Sequence, residues 1–361
     1  MKRREFLATT GAVTLIAATD PFAPTPGPWR SYRVTTTVTF TGSAPVQAWL
    51  PIPNFSEASW ISASPAMSHD GNAATAQVVS GQNGQAAFVH ATWPANATNG
   101  AARTLVLQNS VSTRDLSVDL ARPGHAAPLS AGDRARYLAP TTNIPTDGIV
   151  KTTADKITAG ASTDLEKAQR IYAWIVENTY RKATVRGCGL GDVSFLLETG
   201  DLGGKCADLN GLMAGLARAS GIPARDIYGI RIAPSRFGYK SLGANSTTIT
   251  KAQHCRAEVY LSDYGWVPTD PADVRKVILE EPPGNLPASD PKVVDARKTL
   301  FGAWEGNYMA YNDAADVALP GSSGKPVPFL MYPQAEVNGQ RLDSLDPANF
   351  VYTIEVTANA S

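Results

Sequence analysis

Three residue types in the second half of the chain are suited to covalent chemistry: Cys206, His254, and an aspartate shortly after it, Asp270 or Asp273. Cys206 follows Gly203-Gly204-Lys205 and precedes Leu209, Leu212, Met213 and Leu216, which recur at helical spacing until Gly221-Ile222-Pro223 ends the run. The cysteine therefore falls in the first turn of a predicted helix. Unpaired backbone N–H groups and the positive end of the helix dipole favour a thiolate there. The same N–H groups can donate to an oxyanion forming on a carbonyl under attack, and the glycines let a substrate backbone come close. Taken alone, Cys206 reads equally well as a small, buried, inert cysteine.

The histidines narrow the choice. Of His69, His90, His125 and His254, only His254 lies in the second half, opening the predicted strand Cys255–Leu261. The turn Ser262-Asp263-Tyr264-Gly265 sends the chain back as Trp266-Val267-Pro268-Thr269-Asp270. A symmetric hairpin would set Asp273 opposite His254 and Asp270 about three residues away, and Pro268 or strand twist can shift that register. Both aspartates remain candidates to orient the imidazole. Nucleophile, base and orienting group within reach are what thiol acyl transfer requires. The plainer readings are a hydrogen-bonded structural histidine and a turn aspartate before Pro271.

These groups need a frame. From residue 26 to 122 the chain alternates in β-branched runs, among them Tyr32–Phe40, Val46–Leu50, Ala87–Trp93 and Thr104–Leu107, as expected of a small β-sandwich. Residues 123–145, rich in Pro and Ala, read as an irregular connector. Beyond it, Leu165, Ala168, Ile171, Tyr172, Ile175 and Val176 mark a helix that Ser162 or Thr163 can cap. Strand-like segments follow at Ile227–Ile232, Ala257–Leu261 and Trp266–Pro268, a loop at 280–291, and further strands near Phe329–Tyr332 and Phe350–Val356. The second domain is placed at 146–361, with a C-terminal β extension.

The run Gly203-Gly204-Lys205-Cys206-Ala207-Asp208-Leu209-Asn210, continued by Leu216-Ala217-Arg218-Ala219-Ser220-Gly221-Ile222-Pro223-Ala224-Arg225, resembles the nucleophile motif of bacterial transglutaminase-like proteins. Gln253-His254-Cys255-Arg256-Ala257-Glu258 resembles their histidine motif. Gly265-Trp266-Val267-Pro268-Thr269-Asp270-Pro271-Ala272-Asp273 resembles their acidic motif, whose first aspartate is the triad member, so the resemblance favours Asp270 over Asp273. It implies an α+β fold: a papain-like transglutaminase core, preceded here by the β-sandwich. It also implies a thioester on Cys206, formed at a Gln, Asn or peptide amide carbonyl of a protein or peptide substrate. Water would then give hydrolysis and a lysine amine a crosslink; with no EF-hand-type calcium loop in sight, hydrolysis is preferred. The glutamine that papain-like enzymes carry six residues before the cysteine is absent, that position being Gly200. Tyr180 and Asn178 are alternatives for the second oxyanion donor, and Lys205 can lower the thiol's pKa or simply sit in solvent. A non-catalytic envelope protein that keeps only the scaffold is the rival reading.

Composition excludes more than it selects. The 361 residues carry 32 Lys plus Arg against 32 Asp plus Glu, so nothing recommends nucleic acid or an anionic surface as partner. Met1-Lys2-Arg3-Arg4-Glu5-Phe6-Leu7 and the short apolar run Gly11–Ala18 read as a twin-arginine-type export signal over residues 1–25, cleaved after Ala18 or Ala23. The mature protein is thus expected in the periplasm or secreted, without a membrane span. Three cysteines leave one over in an oxidising compartment; Cys188 and Cys255 can pair, freeing Cys206. Cys206, His254 and Cys255 are too few for a zinc site, and strand neighbours point to opposite faces. No cofactor and no metal are expected.

Overall fold

A computed structural model describes residues 21–81, 86–97, 100–124 and 126–359. The paired arginines and the apolar run Gly11–Ala18 lie outside them. The alternation of Thr and Val in the first strand sets its burial: in β1 (Arg30–Phe40) Tyr32, Val34, Thr36, Val38 and Phe40 are turned inward. The following strands are β2 (Val46–Ile52), β3 (Ile61–Gly71), β4 (Thr75–Ser80), β5 (Ala87–Trp93) and β6 (Arg103–Thr113). They form two antiparallel sheets, and both recruit strands from the far end of the chain. One sheet runs β12 (Val351–Ala358)-β1-β6-β3; the other contains β11 (Gln334–Val337) beside β2, β5 and β4. Val38, Leu105 and Leu107 of the first sheet meet Leu50, Val89 and Trp93 of the second in one apolar cluster.

The site belongs to a second layer. A four-stranded antiparallel sheet runs β9 (Gly265–Thr269), β8 (Gln253–Leu261), β7 (Ala224–Arg231), β10 (Tyr308–Asn312). Both faces of β7 and β8 are buried although both strands carry charged residues, among them Arg225, paired inside the protein with Glu258, and Arg231, paired with Asp273. Helix α5 (Cys206–Ala219) packs against this sheet and is buried at nearly every position, with α2 (Gly148–Thr158) and α3 (Asp164–Asn178) on its outer side. Thr163 caps α3, accepting from the Glu166 N–H. Short α4 (Val193–Thr199) leads toward α5, and α6 (Pro271–Glu280) and α7 (Pro291–Thr299) follow β9. This is the mixed α+β core expected from the motifs.

Two expectations are corrected. The connector at 123–145 contains helix α1 (Ala131–Leu138), capped by Ser130, whose polar sequence buries only Tyr137 and so lacks an apolar stripe to read. The hairpin pairs Leu261 with Gly265 and Ala257 with Thr269, one residue off the symmetric count, because Gly265 takes a left-handed φ of 78° and shortens the turn to three residues. In that register Asp273 does not face His254 across a ladder. Pairing ends at Thr269, and Asp270 opens α6 instead.

Candidate active site

Cys206 is the first residue of α5 and is buried. Its turn is fixed from two sides. Asp208, in the same turn, accepts from the N–H of Lys205 (2.9 Å), Leu190 (3.0 Å) and Gly191 (2.9 Å). Burial raises the Asp208 pKa, although those amides work against it. The loop can approach this closely because Gly189 has a φ of 90° and no side chain: a Cβ there would clash with the Asp208 carboxylate. The Ala207 N–H is taken by the Cys188 carbonyl at 2.9 Å. Among the described residues the Cys206 N–H has no backbone acceptor, as expected of a donor in a helix's first turn.

His254 and Asp270 meet although neither lies opposite the other in a ladder. His254 is the second residue of β8, and its Nε2 is 2.7 Å from Asp270 Oδ2. Asp270 caps α6, with Oδ1 accepting from Asp273 N–H (3.1 Å) and from Asn210 Nδ2 (3.0 Å). Asn210 is one helical turn beyond Cys206, and it also donates to the Cys255 carbonyl at 2.8 Å. It thereby ties the cysteine's helix to both the acidic and the histidine segments. Asp273 stands 3.5 Å from His254 Nε2 but is engaged by Arg231 Nη2 at 2.6 and 2.7 Å. Burial works to raise the Asp273 pKa, and Arg231, His254 and Lys276 overcome it, holding the carboxyl below its usual range. For His254, burial and Arg231 act to lower the pKa, while Asp273 and Asp270 prevail and leave it raised.

Cys206 and His254 line the same cleft of about 400 Å3. The imidazole Nε2 is committed to Asp270, and Nδ1 has no hydrogen-bond partner among the described residues. Cys206 Sγ makes no hydrogen bond to the imidazole; it lies within 4.8 Å of the sulfurs of Cys188 and Cys255. All three thiols are free and buried, so the Cys188–Cys255 pairing considered from sequence is not formed. Three thiolates at this spacing could ligate a soft metal ion, but Cys206 would then be one of the ligands and its thiolate unavailable for attack. His254, Asp270 and Asp273 also cluster within 4.8 Å. The Arg231 guanidinium on Asp273 makes that group a poor cation site.

Of the sequence-based candidates for a second oxyanion donor, neither faces the thiol. Tyr180 donates to Asp201 at 2.7 Å and Asn178 to the Trp174 carbonyl at 2.8 Å, both on the surface. Lys205 does line the cleft. So does Gln253, whose buried Nε2 has no hydrogen-bond partner among the described residues. Alternation along β8 puts its side chain on the Cys255 face. Gln253, Asn210, Asp208, Arg231 and Cys188 were not singled out from sequence for these roles. Asp208, Asn210 and Gln253 fall within the quoted nucleophile and histidine motifs, and glycines surround Cys188, but nothing in the sequence assigns these residues their roles.

Residues 151–271 match the family described as the Transglutaminase-like superfamily. An uncharacterised protein of Haemophilus influenzae is 38% identical over 318 residues, which cover 84% of this chain and 84% of that one. The crystal structure of a candidate cysteine protease from Cytophaga hutchinsonii superposes with a TM-score of 0.51 at 16% identity, covering 92% of this chain and 99% of that one. At that identity the likeness speaks for the fold.

Proposed function

The chain belongs to the transglutaminase-like superfamily, and from that premise we propose that it is a cysteine-dependent enzyme that attacks amide carbonyls through Cys206, His254 and Asp270. The observation that carries this reading is the 2.7 Å His254–Asp270 hydrogen bond in the wall of the cleft that Cys206 also lines. The carboxylate fixes the imidazole so that Nδ1 is the nitrogen available to the thiol. Because Cys206 Sγ rests among the other sulfurs, a turn about its side chain precedes catalysis. The imidazole then takes the thiol proton, the thiolate adds to the carbonyl carbon, and the oxyanion is met by the Cys206 N–H and the Gln253 amide. Collapse expels the amine, which takes its proton from the imidazolium, and leaves a thioester. Water, activated by the now neutral His254, discharges it to a free acid.

The N-terminal run Met1-Lys2-Arg3-Arg4 supports action in the cell envelope after folded export. No helix among the described residues is long and apolar enough to cross a membrane. The reading is tested by incubating the protein with a casein-like donor and a labelled primary amine, with Cys206→Ala as control. Free acid without label uptake is expected. Label uptake would turn the reading toward crosslinking, and equal turnover by Cys206→Ala would end it.

A further inference from the structure

The chain as a whole is electrically balanced, but the surroundings of Cys206 are not. The cleft shared by Cys206 and His254 is lined by Arg181, Lys205, Arg231, Lys251 and Lys276, and by no aspartate or glutamate among the described residues. An adjoining cavity of about 440 Å3, which shares Lys205, Cys188 and Lys251 with it, carries Arg186 as well and again no carboxylate. With 32 basic and 32 acidic residues in the sequence, such one-sided lining does not follow from overall composition.

Internal neutralisation accounts for only part of it. Arg231 is spent on Asp273 at 2.6 Å, and Arg181 pairs with Glu280. Glu280 is shared, since it also stands 3.8 Å from Lys276. Arg186 reaches Asp343 at 2.7 Å on the exposed rim. Lys205 and Lys251, which line both cavities, form no ion pair among the described residues. Lys276 is largely withdrawn from water; burial and Arg231 push its pKa down to about 8, so an arriving carboxylate would favour its protonated form. A low-dielectric cleft lined by one sign of charge focuses its field on whatever enters.

We propose that the acyl donor is an anionic peptide, with carboxylates beside the scissile amide held by Lys205, Lys251 and Lys276. This rests on Cys206 being the reacting thiol and adds the class of substrate it is offered. A donor of that kind completes the cleft's charge, whereas a basic peptide would bring like charges into a confined space. Neighbouring carboxylates also steer the peptide toward Cys206 before contact, so the effect falls mainly on kcat/KM and weakens with salt.

The test separates the charge from the chemistry. Cys206 is alkylated with iodoacetate and with iodoacetamide, and the modified residue is located by peptide mapping. Relative to glutathione, the iodoacetate-to-iodoacetamide rate ratio is expected to be raised about tenfold, to collapse in 1 M salt, and to fall in Lys205→Met/Lys251→Met. A ratio equal to that of glutathione, insensitive to salt, overturns the proposal. In parallel, matched peptides with Glu or Gln beside the scissile amide are compared. Faster turnover of the Glu series supports the proposal, and equal turnover of both series overturns it while leaving the thiol chemistry intact. If neither peptide reacts but the alkylation ratio is raised, the charge assignment stands and the acyl-transfer reading is what fails.

Discussion

Asp270 lies 2.7 Å from His254 Nε2 while Asp273, three residues on, stands at 3.5 Å and belongs to Arg231. The two carboxylates therefore have separable jobs. Both raise the His254 pKa against burial and Arg231. Asp270→Asn removes one of them and lowers that pKa, so the imidazolium of the reacting ion pair is lost at lower pH. We expect the alkaline limb of kcat/KM to move to lower pH, with activity down by about two to four orders of magnitude. The sign for stability follows the same logic: stabilisation from charged His254 is present below its unfolded pKa and lost as pH rises through the raised folded value. An unmoved alkaline limb in Asp270→Asn would exclude the aspartate as the orienting group.

Asp273→Asn should act differently. It leaves Arg231 buried without its counter-ion, a change that typically costs about 3–5 kcal/mol. Thermal and urea denaturation should register this as a large loss of stability. A variant as stable as the parent would show that Arg231 finds another acceptor.

Gln253 offers a buried Nε2 that has no hydrogen-bond partner among the described residues, in the cleft that holds Cys206. A buried donor left unpaired in the resting protein is costly unless a ligand completes it. Gln253→Ala should lower kcat about 10²-fold with KM little changed, because an oxyanion donor acts in the transition state. A rise in KM alone would make Gln253 a substrate-binding group instead.

How far the sequence reached can be judged residue by residue. The helix of Cys206 and the strand of His254 were legible because apolar periodicity and terminating Gly-Pro signals are local. The Asp208 clamp on the 188–191 loop was not, since it joins segments whose approach depends on Gly189 in a left-handed conformation. Nor was the return of β12 to β1, whose partners are separated by most of the chain. Residue counting along the hairpin could not choose between Asp270 and Asp273, because pairing ends at Thr269 and Asp270 reaches the imidazole as the cap of α6; only the motif resemblance favoured it. Charge was the least visible feature: a total of zero conceals a cleft lined with cations.

The thiol cluster predicts redox sensitivity. The sulfurs of Cys188, Cys206 and Cys255 lie within 4.8 Å of one another, and a disulfide requires two of them to approach to about 2 Å. Oxidised glutathione would take up the two hydrogens, leaving a disulfide between Cys206 and Cys188 or Cys255 and two molecules of reduced glutathione. Cys206 should then stop reacting with iodoacetamide and recover in dithiothreitol. Three titratable thiols remaining after that oxidation would sink the idea.

If the proposed export signal is removed, Phe22 bears on where the mature chain begins. Phe22 is buried, with its ring 5.3 Å from that of Phe237 and 4.9 Å from that of Tyr239. Its N–H donates to Asp295, and its carbonyl accepts from Thr299. A twin-arginine route exports the chain already folded, so Phe22 would be seated before any signal is removed. Cleavage after Ala23 would have to extract it, and the product would lose a buried aromatic worth about 3 kcal/mol. Cleavage after Ala18 leaves the contact intact. N-terminal sequencing of the exported protein should therefore begin at Thr19, and a chain started at Pro24 should melt a few degrees lower. A natural N-terminus at Pro24 would mean that the Phe22 pocket is emptied during maturation.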